Sequence, residues 1–127
     1  MNRRIALSAV MVLLMVQGCG GDTRESLAAE QVAASKDMLA TLETVKDEAS
    51  AKAATPKLQS IMTKMNSINE RESKLAAPTE AEMKVVIEKY GKQMEEIQQK
   101  MMSHLLAIQF DPKIQAVLGD LDVKPAK

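Results

Sequence analysis

Tryptophan is missing from this chain, and tyrosine, phenylalanine, histidine and cysteine occur once each, as Tyr90, Phe110, His104 and Cys19. A single cysteine excludes an intrachain disulfide and any Cys-based zinc or redox motif. Two aromatic residues cannot supply the stacking platforms that sugar and single-strand binders use. Charge of one sign is also lacking: 17 Lys+Arg stand against 17 Asp+Glu. No basic stripe is left to release counterions, so nucleic acid is not an expected partner. No serine lies in a Gly-x-Ser-x-Gly turn, and the single histidine limits base chemistry. Carboxylate pairs such as Glu95-Glu96 and Glu70/Glu72 point to different faces of a helix. No catalytic residue and no cofactor is expected, and the chain does not read as an enzyme. Neither period-two alternation nor a bounded β-branched run occurs after the first twenty residues, which excludes strands.

What is present begins at the amino terminus. Asn2-Arg3-Arg4 is followed by a nearly unbroken apolar run from Ile5 to Val16, then by Gln17-Gly18-Cys19. A run of about a dozen residues falls short of the ~20 that a membrane-spanning helix needs, so cleavage is expected over retention. Val16 three before the cysteine and Gly18 immediately before it resemble the lipobox of bacterial lipoproteins; Gln17 departs from the small or hydroxyl residue usual at its position. The resemblance implies cleavage between Gly18 and Cys19, diacylglycerol on the Cys19 sulfur and acylation, palmitate among the fatty acids, of the new amino terminus. Each buried methylene contributes about 0.8 kcal/mol, and two or three acyl chains make a lasting anchor. Gly20, where an Asp would favour the inner membrane, resembles an outer-membrane address, with the protein facing the periplasm.

The expected organisation is a signal peptide over 1–18, a lipidated tether over 19–23, a helical domain over 24–119 and a flexible tail over 120–127. Loss of residues 1–18 removes Arg3 and Arg4 and leaves 15 basic against 17 acidic residues, a net charge of about −2. The remaining length suits one modest core.

A first helix is expected to start near Asp22 or Thr23, with Glu25 completing a weak capping box, and to run through Lys52 on a thin stripe of Leu27, Ala34, Met38, Leu42, Val45 and Ala49. Thr55-Pro56 reads as a fresh helix start, Thr as cap and Pro at the first position. Its seam is Leu58, Ile61, Met65, Ile68 and Leu75, widened by Met62 and interrupted by Glu72. Ala77-Pro78-Thr79 breaks the chain, and Thr79 with Glu82 forms a stronger capping box. The third seam is Met83, Ile87, Tyr90, Met94, Ile97 and Met101, continued by Leu105 and Ile108 after a small phase shift. Gly91 inside it suggests a close helix crossing. Beside the seam, Lys84, Glu88, Lys92, Glu96 and Lys100 alternate in sign, a solvated i,i+4 row. Asp111-Pro112 opens a short fourth helix stopped by Gly119. The fold class is therefore all-α: a small antiparallel three-helix bundle, or a long helical hairpin with a short C-terminal helix.

Residues 47–58, then Pro78-Thr79-Glu80-Ala81-Glu82 and the Met-rich helix, are similar to short helical proteins of bacterial genomes that carry no assigned activity. The resemblance implies one exported helical domain and supplies no functional residue. The terminal Lys127, with a lipid anchor and helices, resembles murein lipoprotein in those three features alone.

Seven of the ten methionines follow Cys19. Two readings of them stand: Met as a gap-filling core residue, or thioether ligation of copper(I), for which Met94, Met101 and His104 share one helix side. Core packing is the expectation and copper(I) the alternative. The expected function is a lipid-anchored envelope protein with a structural or interaction role, engaging its own copies or another envelope protein through an amphipathic groove.

Overall fold

The computed structural model describes residues 21–119 and 121. The signal segment, Gly18 and Cys19 lie outside the described residues, as does the tail apart from Leu121. The described chain is all-helical, with four helices: α1 (Arg24–Glu43), α2 (Glu48–Ser73), α3 and α4 (Pro112–Leu118). Helix α3 runs from Glu80 to Gln109 and contains a π-helical turn, Ile87–Gly91, between its α-helical parts Glu80–Val86 and Lys92–Gln109.

Local chemistry sets each start. Thr23 caps α1, and its partner is Ser26: the Ser26 amide donates to the Thr23 hydroxyl at 3.1 Å and the Thr23 amide donates to the Ser26 hydroxyl at 3.0 Å. Glu25, expected in that role, instead pairs with Lys89 of α3. The boundary between α1 and α2 also differs from the sequence reading. The chain turns at Thr44–Asp47, not at Thr55-Pro56. Asp47 accepts from the Ser50 amide at 2.7 Å, while the Ser50 hydroxyl accepts from the amides of Lys46 and Asp47 at 2.9 and 3.0 Å. This reciprocal cap satisfies end groups that a break at Thr55 would have to satisfy elsewhere. Pro56 therefore sits inside α2, where it cannot donate to the Lys52 carbonyl. Thr55 is not a cap, and its hydroxyl donates to the Ala51 carbonyl at 2.9 Å.

The expected starts of α3 and α4 hold. Thr79 and Glu82 cap α3 reciprocally, at 2.9 Å from the Thr79 amide and 3.2 Å from the Glu82 amide. Asp111 caps α4, accepting from the amides of Lys113 and Ile114.

Helix α1 is the middle of the layer. It packs against α2 on one side and α3 on the other, and α4 packs against both α2 and α3. Leu27 and Ala34 meet Ile61 and Ile68 of α2, whereas Val32 and Leu39 meet Ile97 of α3. A third cluster joins Leu42, Val45, Ala51, Ala54, Leu58, Ile108 and Ile114 where α1, α2, α3 and α4 come together, with Leu121 packed against it. Leu27, Leu58 and Ile68 are the largest fully buried side chains, and each such burial contributes about 1.5–3 kcal/mol.

One polar clamp ties α1 to α2 at the amino-terminal end of α1. The Arg71 guanidinium donates to both oxygens of Glu30 at 2.8 Å, and to both oxygens of Asp22, one of them at 2.8 Å. Glu72, which interrupts the α2 seam, pairs with Arg24 at 3.3 Å.

Candidate functional site

Two apolar faces run along α3, and only one of them is core. From Tyr90 in the π turn onward the inward face is Tyr90, Met94, Ile97, Met101, His104 and Ile108, a four-three alternation that needs no phase shift. His104, not Leu105, occupies the position after Met101; it is half-buried, with its Nε2 3.9 Å from a Glu43 oxygen. Leu105 stands 49% exposed. Met83 and Ile87, also expected in the seam, are 47% and 61% exposed. The wider π turn adds a residue to one revolution, so residues before and after it do not share one stripe. Gly91 belongs to that turn and marks no close helix crossing: a Cβ there would meet the Ile87 Cγ2 at an ordinary 3.6 Å.

Because α2 and α3 stand apart on either side of α1, an apolar groove of about 290 Å³ opens between them. Met38 and Leu42 of α1 form its floor, Leu58 and Met62 of α2 one wall, Met101, Leu105 and Ile108 of α3 the other, and Leu118 with Leu121 close one end. From the Leu105 wall the apolar surface continues around the back of α3 through Met102, Leu106 and Phe110, the last 84% exposed. At about 100° per residue these four side chains cover roughly 140° of the helix. No Lys, Arg, Asp or Glu occurs from residue 101 to residue 110. Gln98, Gln99, Ser103 and Gln109 are exposed around the strip and give it a neutral polar border.

The methionines partition by the same geometry. Met94 packs against the Val32, Leu39 and Ile97 cluster, and Met101 against that cluster and the one containing Leu42 and Ile108. Met101 also shares the groove with Met38 and Met62. Among the described residues there is no group of three or more His, Cys, Asp and Glu side chains placed to hold one metal ion.

Charged groups lie elsewhere. In the alternating row of α3, Lys84 and Glu88 approach to 3.9 Å, the one ion pair within that row among the described residues, and Lys92, Glu96 and Lys100 are exposed. Hydrogen bonds from Arg71 hold the Asp22 and Glu30 carboxyls below their ordinary range. The Ser50 amide does the same for Asp47, and Thr79 for Glu82. Lys89 is raised by its bond to Glu25. All these shifts arise at helix ends and interhelical pairs, not in the groove.

Sequence reasoning missed the Met102, Leu106 and Phe110 strip, although its spacing of four and four, with no charge over ten residues, was visible. Comparison with family profiles, curated proteins and solved structures returned no match to this chain.

Proposed function

We propose that the protein is a lipid-anchored component of the bacterial envelope, held at the membrane through Cys19 and facing the periplasm, with a structural or protein-interaction role and no catalysis. The observation that supports the interaction role is the charge-free apolar strip of α3 beside an open groove. Surfaces of this kind, apolar and Met-rich at the centre with a neutral polar border, resemble the buried centres of protein interfaces. The lipid anchor is supported by the residues around Cys19, since Val16 and Gly18 suit processing at that cysteine and a dozen apolar residues are too few to span a bilayer.

The test is labelling of the full chain with a palmitate analogue in a bacterial host. Cys19→Ser is expected to lose the label and to accumulate as the larger, unprocessed chain. Label retained by Cys19→Ser in the membrane fraction would exclude the anchor.

A further inference from the structure

We propose that the first part of α3, Glu80–Val86, has a second register on α1, reached when the π turn Ile87–Gly91 closes into α-helix, and that the ion pair between Lys89 and Glu25 holds the present one. Met83, Ile87, Tyr90, Met94 and Ile97 follow one another at spacings of four, three, four and three. In an uninterrupted α-helix, at about 100° per residue, Met83 falls within roughly 20° of Tyr90 and Ile87 within roughly 60°. All five then face α1. The extra residue of the π turn rotates the part before it by one further position, and this turns Met83 and Ile87 out to 47% and 61% exposure.

The present register covers α1 thinly. No residue from Glu80 to Gly91 is buried, although this part of α3 packs on α1. Val85 and Val86 each border an open recess against α1, of about 310 Å³ beside Val85 and Glu25 and about 220 Å³ beside Val86 and Ala28. Met83 and Ile87 already stand at the rim of the second recess. Rotating Glu80–Val86 by one residue position carries both onto α1, moves Val85 outward and so removes more apolar area from water. Against this stands Lys89, which lies inside the π turn and donates a hydrogen bond to Glu25 of α1. Both side chains of that pair are about half exposed, so it is weak enough to break without unfolding the helix. Two packings of one segment, biased by one exposed ion pair, make a two-state element. Its output is the outer surface at the start of α3, which presents Met83 and Ile87 in one state and Val85 in the other.

The experiment uses the full chain and its own methionines. Brief treatment with hydrogen peroxide converts accessible thioethers to sulfoxides, and peptide mass spectrometry reads Met83 against Met102, which is 64% exposed and serves as the internal reference. In the unaltered protein Met83 should react at a rate within about two-fold of Met102. Glu25→Gln, which removes the ion pair, should slow Met83 by about five-fold or more while Met102 and the helical circular dichroism stay unchanged. Adding Ile87→Glu, or deleting Glu88 so that the helix is uninterrupted in the present register, should restore the rate. Met83 reacting equally fast with and without Glu25→Gln would overturn the second register, as would a faster reaction, because Lys89 would then only tie down a loosened segment. Slowing that persists in both added variants would place its cause outside the register and overturn it as well. Protection of Met83 in the unaltered protein, level with Met94, would overturn the role given to the ion pair.

Discussion

Arg71 and Glu30 join α2 to α1 through two parallel hydrogen bonds of 2.8 Å each, a bidentate fork that a lysine cannot reproduce. The same guanidinium holds Asp22, and both carboxyls are kept below their ordinary range by it. Groups with a depressed folded pKa stabilise the fold fully above the unfolded carboxyl range, around pH 4. That contribution disappears as pH falls through the folded values. Arg71→Gln should accordingly lower the urea midpoint at pH 7, and the gap from the unaltered protein should be narrower at pH 3, below the unfolded carboxyl range. An equal gap at both pH values would show that the clamp is not what Arg71 contributes.

Pro56 is the one proline inside a helix among the described residues, and it is exposed. An interior proline costs about 3 kcal/mol relative to alanine when the helix is otherwise intact. Pro56→Ala is therefore expected to stabilise the protein, by roughly 1–3 kcal/mol once relaxation around the ring is allowed for. Denaturant unfolding measures it directly; a loss of stability would mean that the helix really starts at Thr55.

Met101 touches two apolar clusters and the groove, as packing requires. Met101→Leu conserves apolar volume and should cost less than about 1.5 kcal/mol. Copper(I) should then leave the melting temperature unmoved for both proteins. A stoichiometric rise in melting temperature with copper(I), lost in Met101→Leu and in His104→Ala, would instead establish Met94, Met101 and His104 as ligands.

Much of this architecture is legible in the residues themselves. The all-α class, the caps at Thr79 and Asp111, and the burial of Leu58, Ile61 and Ile68 follow from local spacing and end chemistry. What escaped has physical causes. Helix α1 packs on two sides, so Val32 and Leu39 face α3 outside the stripe that faces α2, and a search for one stripe finds half of its buried residues. Pro56 outweighed Asp47 and Ser50 as a boundary because proline is the stronger local signal, yet the reciprocal cap satisfies more end groups. On α3, apolarity alone could not separate core from surface. Leu105 looked like the next seam residue, and the half-buried His104 holds that place.

The account depends most on the claim that α3 has one face for its own core and another for a partner. Ile97→Asp and Leu106→Asp place the same carboxylate on those two faces, and the urea midpoint of each variant separates them. Ile97 is buried against Val32 and Leu39, so its replacement should cost several kcal/mol, out of a total that is typically about 5–15. Leu106 is half exposed, and its replacement should change stability by no more than about 0.5 kcal/mol. Equal losses from the two variants would contradict the account, because the strip through Leu106 would then be core.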